Sequence, residues 1–138
     1  MQGLWLADVT VERYVQARKR VYDMLRLAAR VSAWGAVPAL AIASWTPGHD
    51  MVRTGMGGSL EHFIAYLLTG IAFMFGFPHH PLWCISVALA AYAALLEAGQ
   101  ASISGRHAGF AEWVMSGCGV FVASLLISLI RAAKESSR

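Results

Sequence analysis

The feature that most constrains this chain is a set of four apolar runs that contain no Asp, Glu, Lys or Arg. The runs cover residues 31–48, 63–78, 81–96 and 113–130. A bilayer-spanning helix needs about 17–25 apolar residues, and each run can reach this length by adding a turn from its flanks. A soluble helical bundle would instead carry polar stripes at helical spacing, which these runs lack. We therefore predict an all-α fold, an integral membrane four-helix bundle.

The charged residues are few and unevenly placed around these runs. They make up 14% of the chain, against about 25% in soluble domains, and the net charge of +3 is too small to indicate a nucleic-acid partner. Six Lys and Arg residues lie between residues 13 and 30, and three follow residue 130. Only Arg53 lies between the first two runs and only Arg106 between the last two. The positive-inside rule then predicts that both termini are cytoplasmic, as an even number of spans requires.

The segment before the first run is interpreted as a separate element. Residues 8–30 place apolar side chains roughly on one side of a helix, so we expect an amphipathic helix on the cytoplasmic membrane surface. Its Arg18-Lys19-Arg20 cluster would attract anionic headgroups by about 1 kcal/mol per charge. The helix would anchor the topology; docking of a partner protein is the alternative. The predicted parts are residues 1–30 (amphipathic helix), 31–130 (transmembrane domain) and 131–138 (basic tail).

Small residues at intervals of four predict close helix packing in the last two runs. The fourth run contains Gly119-x-x-x-Ala123, and the third contains a similar ridge. Such ridges let helix backbones approach each other in a membrane. The ridge residues of the third run are Ser86, Ala90, Ala94 and Ala98.

The most unusual polar stretch is residues 97–112, between the third and fourth runs. Charges this close to the hydrocarbon are costly, so they usually face protein or water and mark a site. The second run adds His62 and Tyr66, which lie four apart and hence on one helical face. Arg106 is a natural partner for either glutamate of the stretch, because a guanidinium can bind a carboxylate through two hydrogen bonds. The predicted cluster, called the polar cluster below, consists of His62, Tyr66, Glu97, Gln100, Arg106 and Glu112.

Neither a metal nor a cofactor is predicted. His79 and His80 lie between two prolines with no third ligand nearby, whereas a structural zinc site has four ligands. The aromatic residues near the polar cluster are expected to mark the membrane interface.

These residues resemble the signature of the VanZ-like family. The resemblance covers roughly residues 58–125, and its motifs are His62-Phe-x-x-Tyr66, Glu97-x-x-Gln100, Ser104-Gly-Arg106, an acid at Glu112, Ser116 and Gly119. Three positions depart from the family pattern. Gly58-Ser59 stands where relatives have an Asp-Lys pair, Glu112 replaces a common Asp, and Ser116 replaces an Asn.

The resemblance implies a small multi-span protein of the bacterial cytoplasmic (inner) membrane, from a family linked through one member to low-level teicoplanin resistance. The first hypothesis is that the polar cluster binds or senses a cell-envelope ligand, a lipid or precursor headgroup, with Arg106 holding phosphate or carboxylate. In the second, the protein is a non-enzymatic accessory subunit of a larger membrane complex. In the third it is an enzyme with His62 or Glu97 as general base, although no activated nucleophile is visible. Membrane lipids are the expected partners in each case.

Overall fold

The described part of the chain folds into four α-helices. The computed structural model describes residues 2–47, 49–50, 55–103, 105 and 109–137, and this part of the chain contains no β-strand. The helices are α1 (Gln2–Trp45), α2 (Gly58–Gly76), α3 (Leu82–Gln100) and α4 (Phe110–Ser136). The prediction of an all-α four-helix bundle is confirmed. All four helices are long and apolar enough to cross a membrane.

The first helix corrects the predicted division of the N-terminal half. α1 is one helix of 44 residues, about 66 Å long at 1.5 Å per residue, so no separate amphipathic helix ends at Arg30. The physical reason lies in the sequence at the junction, Ala28-Ala-Arg-Val-Ser-Ala33, which contains neither glycine nor proline to end a helix. The change from charged to apolar residues alters the surroundings of the helix without interrupting it. Pro38 also lies inside α1 and does not end it.

The closest packing is between α2 and α4, which run in the same direction. A side chain on Gly119 would collide with the Phe63 backbone carbonyl and the Leu67 nitrogen, so only glycine allows this approach. Ala123 is fully buried in the same interface. The predicted close packing of the fourth run is therefore confirmed. On α3 it is wrong for Ala94 and Ala98, whose side chains are exposed.

Helices α1 and α3 flank this pair and are held by polar contacts to backbone carbonyls. The Tyr92 hydroxyl on α3 donates to the Val37 carbonyl of α1 at 2.6 Å. The Trp113 indole nitrogen on α4 donates to the Ala90 carbonyl of α3 at 3.2 Å. The core between the helices is formed by Tyr66, Met74, Leu89, Ala93, Val120, Ala123 and Ile127.

The two ends of the bundle carry opposite charges. The acidic end, where α1 and α3 finish and α2 and α4 begin, contains Glu61, Glu97 and Glu112. The basic end contains Arg26, Arg30, Arg131 and Lys134.

At the basic end two arginines from different helices bind the last carbonyls of α2. Arg30 of α1 donates from Nε to the Gly76 carbonyl at 2.8 Å, and Arg131 of α4 donates to the Met74 carbonyl at 3.3 Å. The last four carbonyls of a helix have no partner within the helix, and cations are favoured there by the helix dipole. The two arginines therefore stabilise the end of α2 and tie α1 and α4 to it.

Candidate functional site

Three helix ends meet at the acidic end and bring most of the polar cluster together. His62 lies on the second turn of α2 and Tyr66 on the third, Glu97 and Gln100 lie on the last turn of α3, and Glu112 lies on the first turn of α4. Arg106 lies outside the described residues, so its predicted pairing with a glutamate stays a prediction.

Glu97 is the buried acid of this cluster and is 8% exposed. Its Oε1 accepts the backbone N–H of Gly109 at 2.5 Å, and Gly109 is the residue that precedes the first turn of α4. Hydrogen bonds with an ionised partner are among the stronger ones in proteins. The contact therefore fixes the end of the 101–109 segment and the start of α4 to the last turn of α3.

Glu112 approaches the same glycine from the other side. It lies in the first turn of α4, where a negative charge is favoured by the helix dipole. A side chain at Gly109 would overlap the Glu112 carboxylate, so the glycine leaves room for it. Two carboxylates from different helices thus converge on one backbone position, and this arrangement favours a ligand that brings a positive charge or several hydrogen-bond donors.

His62 is joined to α4 through Ser116. The Ser116 hydroxyl donates to the Glu112 carbonyl at 2.9 Å, and His62 Nδ1 lies 3.3 Å from the same hydroxyl oxygen. When the hydroxyl proton is used in the shorter contact, His62 Nδ1 donates in the longer one; in the other tautomer the imidazole accepts from the hydroxyl. An activated serine nucleophile needs the second arrangement, with the histidine accepting the proton. The pair therefore fixes the position of the imidazole relative to α4.

Gln100 is the polar residue whose burial the fold does not explain. It is 3% exposed, and its side-chain Nε2 has no hydrogen-bond partner in the described part of the chain. An amide NH₂ offers two donor hydrogens, and a buried donor left without an acceptor costs about 1–3 kcal/mol. Such an atom in a native fold calls for an explanation, and an acceptor supplied by a bound ligand is one.

Tyr66 has a different role from the rest of the cluster. It is 3% exposed and packs within the apolar core with Met74 and Val120. Its ring therefore lies on the core side of the polar cluster. His62, one turn earlier, is only partly buried.

A small cavity lies beside His62 on the α1 side of α2. It has a volume of about 110 Å³, large enough for several water molecules. Its polar lining comes from Ser44, Glu61, His62 and Tyr66. Within the described ranges no group of three His, Cys, Asp or Glu side chains could hold a metal ion.

Two contributors to the site were missed by sequence reasoning. Gly109 supplies the donor to Glu97, and Trp45, at the end of α1, covers the last turn of α3. A methyl group at Gly99 would lie 2.6 Å from Trp45 Nε1, so the indole rests on that turn. A glycine directly before an apolar run was the available signal for Gly109; Trp45 offered only its expected place at the membrane interface.

Comparison with protein-family models, curated proteins and solved structures finds no match for this chain. What the site can do follows from its own chemistry. It offers a buried amide donor, an imidazole and two carboxylates at one end of four membrane-length helices. That combination is suited to binding a polar group.

Proposed function

We propose that the polar cluster binds the polar headgroup of a cell-envelope ligand, either a lipid or an envelope precursor, and that the protein senses or holds it. The observation that carries this proposal is the Gln100 amide, which is 3% exposed and has an Nε2 without a partner in the described residues. A phosphate or carboxylate oxygen of a headgroup would accept its hydrogens.

The neighbours of Gln100 supply the complementary contacts. Glu97 is in the same helical turn, and its carboxylate has a second oxygen besides the one that binds Gly109. Glu112 and His62 face the same junction of α2, α3 and α4. In a headgroup that carries both an anionic oxygen and an amine, the anionic oxygen would accept from the Gln100 amide. The amine would donate to the carboxylates. Arg106, from the intervening segment, is proposed as the cationic partner of the anionic group.

The resemblance to the VanZ-like family supports the same proposal. It directs the choice of ligand towards the bacterial envelope, and with it we propose a location in the cytoplasmic membrane with both termini cytoplasmic. The basic end of the bundle would then face the cytoplasm and the polar cluster would face outward. Altered glycopeptide sensitivity in a deletion strain is the expected phenotype.

The proposal is tested by Gln100→Met, which keeps the length of the side chain and removes its unsatisfied amide. If the amide serves a ligand, the variant should be more stable than the wild type when empty, by about 1–2 kcal/mol, and should lose the ligand. We would purify both proteins in mild detergent, identify co-purifying lipids and precursors by native mass spectrometry, and measure unfolding in detergent.

Gln16→Met is the matched control, because Gln16 is exposed on α1 and far along the chain from the cluster. It should change neither the stability nor the bound molecules. Retention of the same molecules by Gln100→Met would contradict the proposal.

The second candidate is a non-enzymatic accessory subunit of a larger membrane complex. The contact between the Glu97 carboxylate and the Gly109 N–H favours it, because one of the two acids is used to fix the chain itself. This candidate predicts that a protein partner co-purifies in constant ratio from gentle detergent and stays bound to Gln100→Met. Absence of a stoichiometric protein partner, with a small molecule bound instead, would exclude it.

A further inference from the structure

Between α1 and α3 runs an open apolar groove that none of the helices fills. It has a volume of about 400 Å³. The groove exists because α1 and α3 each pack mainly on other helices and meet each other only sparsely. Its wall on α1 includes Trp34, whose ring packs edge-on against Phe73 with centroids 5.6 Å apart. One end is closed where the Tyr92 hydroxyl binds the Val37 carbonyl.

The other end of the groove opens at the basic end of the bundle. Phe77 and His80 line this opening, and the Arg30 guanidinium lies over the Phe77 ring, 5.4 Å from its centre. Arg30 uses Nε for the Gly76 carbonyl. Within the described part of the chain its terminal nitrogens have no acceptor, and the residue is exposed.

Further cations lie beside Arg30. Arg26 lies one turn before it, 4.5 Å from the centre of the Tyr22 ring, and Lys134 of α4 lies 5.4 Å from the same ring. The Nε of Arg26 is buried and has no hydrogen-bond partner among the described residues, while its Nη2 donates to the Tyr22 hydroxyl at 3.5 Å. Among the described residues none of these cations is in an ion pair. Like charges one helical turn apart repel each other, so the cluster favours a bound anion.

The depth of the groove suits a lipid chain. From Cys84 to Tyr92, both of which line it, α3 rises about 12 Å. Half of the hydrocarbon core of a bilayer is about 15 Å thick. A molecule with an anionic head at Arg30 and an apolar tail along this wall would therefore occupy one leaflet.

We propose that this groove binds one acyl chain of an anionic phospholipid, whose phosphate is held by Arg30 and Arg26 at the basic end. The site is independent of the polar cluster, which lies at the opposite end of the bundle. It gives the protein a preference for anionic lipid at a defined position, in addition to any general attraction of its basic segment.

The test uses delipidated full-length protein in detergent. Phosphatidylglycerol and phosphatidylcholine with identical acyl chains are titrated separately, with the thermal unfolding midpoint and the number of lipids retained in native mass spectrometry as readouts. Phosphatidylglycerol should raise the midpoint and be retained as one molecule per chain, whereas phosphatidylcholine should do neither.

Charge and groove are then separated by two pairs of variants. Arg30→Gln should weaken phosphatidylglycerol binding about tenfold or more, the usual loss for a hydrogen bond to a charged group, while Arg13→Gln removes an exposed charge of the same helix and should leave it within about twofold. Because Arg30 also binds Gly76, Arg26→Gln provides a second variant that spares this contact. Ala88→Trp fills the groove with every charge in place and should abolish binding, whereas Ala94→Trp, at an exposed position of α3 outside the groove, should not.

Three outcomes would overturn the proposal. Equal stabilisation by the two lipids would show that the site does not prefer anionic lipid. Undiminished phosphatidylglycerol binding by Ala88→Trp would show that only the surface charge matters. The same shift with inorganic phosphate alone would show a free-anion site. Gln100→Met should bind phosphatidylglycerol normally, so failure here and failure of the proposed function are distinguishable.

Discussion

The two ends of the bundle differ in how far their polar side chains are buried and in what these side chains bind. At the acidic end Glu97 and Gln100 are buried, at 8% and 3% exposure, and Glu97 is held by a backbone N–H from another segment. At the basic end the long side chains of Arg30 and Arg131 reach back to the carbonyls of α2. Long cationic side chains can satisfy a helix end and still keep charge towards water or headgroups, whereas a short buried amide cannot. The acidic end thus holds buried polar groups in fixed positions, whereas the basic end keeps its positive charge near the surface.

The contact between α2 and α4 connects the two ends, so the largest effect is expected there. Gly119→Val should destabilise the protein by about 3 kcal/mol, because added methyl groups would be forced against the backbone of Phe63. Both ends should loosen together. The measurement is unfolding in a denaturing detergent, followed by amide hydrogen exchange at each end.

Gly117→Val is the control for this prediction, because a side chain at Gly117 meets nothing within 4 Å. It should be close to neutral. Equal destabilisation by both variants would mean that the close α2–α4 contact is not what joins the ends.

An intermediate effect is expected from Glu97→Ala, which should loosen only the acidic end. It removes the acceptor of the Gly109 N–H and should cost about 2 kcal/mol, the usual range for a hydrogen bond to a charged group. Exchange of the Gly109 amide should accelerate, while the last turn of α2 at the basic end should keep its protection. Glu97→Gln keeps an oxygen acceptor and should lose less. Faster exchange at both ends would contradict the expectation that the Glu97 contact stabilises only the acidic end.

The smallest effect is expected from Arg131→Gln, which should loosen only the basic end. The loss of its bond to the Met74 carbonyl and of a favourable charge at the end of α2 should cost about 1 kcal/mol. Exchange in the last turn of α2 should rise, with the Gly109 amide unchanged. Lys134→Gln is the matched control, since Lys134 contacts the Tyr22 ring and no α2 carbonyl. An equal effect of the two variants would mean that the loss of any positive charge at this end loosens it, and that the bond to Met74 is not the cause.

The sequence was most informative where burial alone decides the structure. Four runs without charges predict four helices, because a charged side chain in hydrocarbon is expensive, and the four-helix fold is confirmed. Spacing also placed Glu97 and Gln100 in one turn. The change in hydropathy at residue 31 predicts a helix boundary that the structure does not have, because helix-breaking residues are lacking there.

Contacts between distant segments were beyond sequence reasoning. Arg30 was interpreted only as part of a topology signal, yet it binds a carbonyl 46 positions away. The Gly109 donor to Glu97 depends on how the start of α4 packs against the last turn of α3, which no sequence pattern specifies. Such partners are determined by helix packing. Every residue has a backbone N–H or C=O group, so the sequence does not indicate which of them a side chain from another helix will bind.

The unbroken first helix also makes α1 a lever. Its Trp45 rests on the turn of α3 that carries Gln100, Trp34 lines the groove, and its other tip is at Gln2. A rotation of 5° about the middle of a rod of this length displaces each tip by roughly 3 Å. A shift of the α3 turn against Trp45 would therefore be carried along α1 to its Gln2 end as a displacement of about the same size.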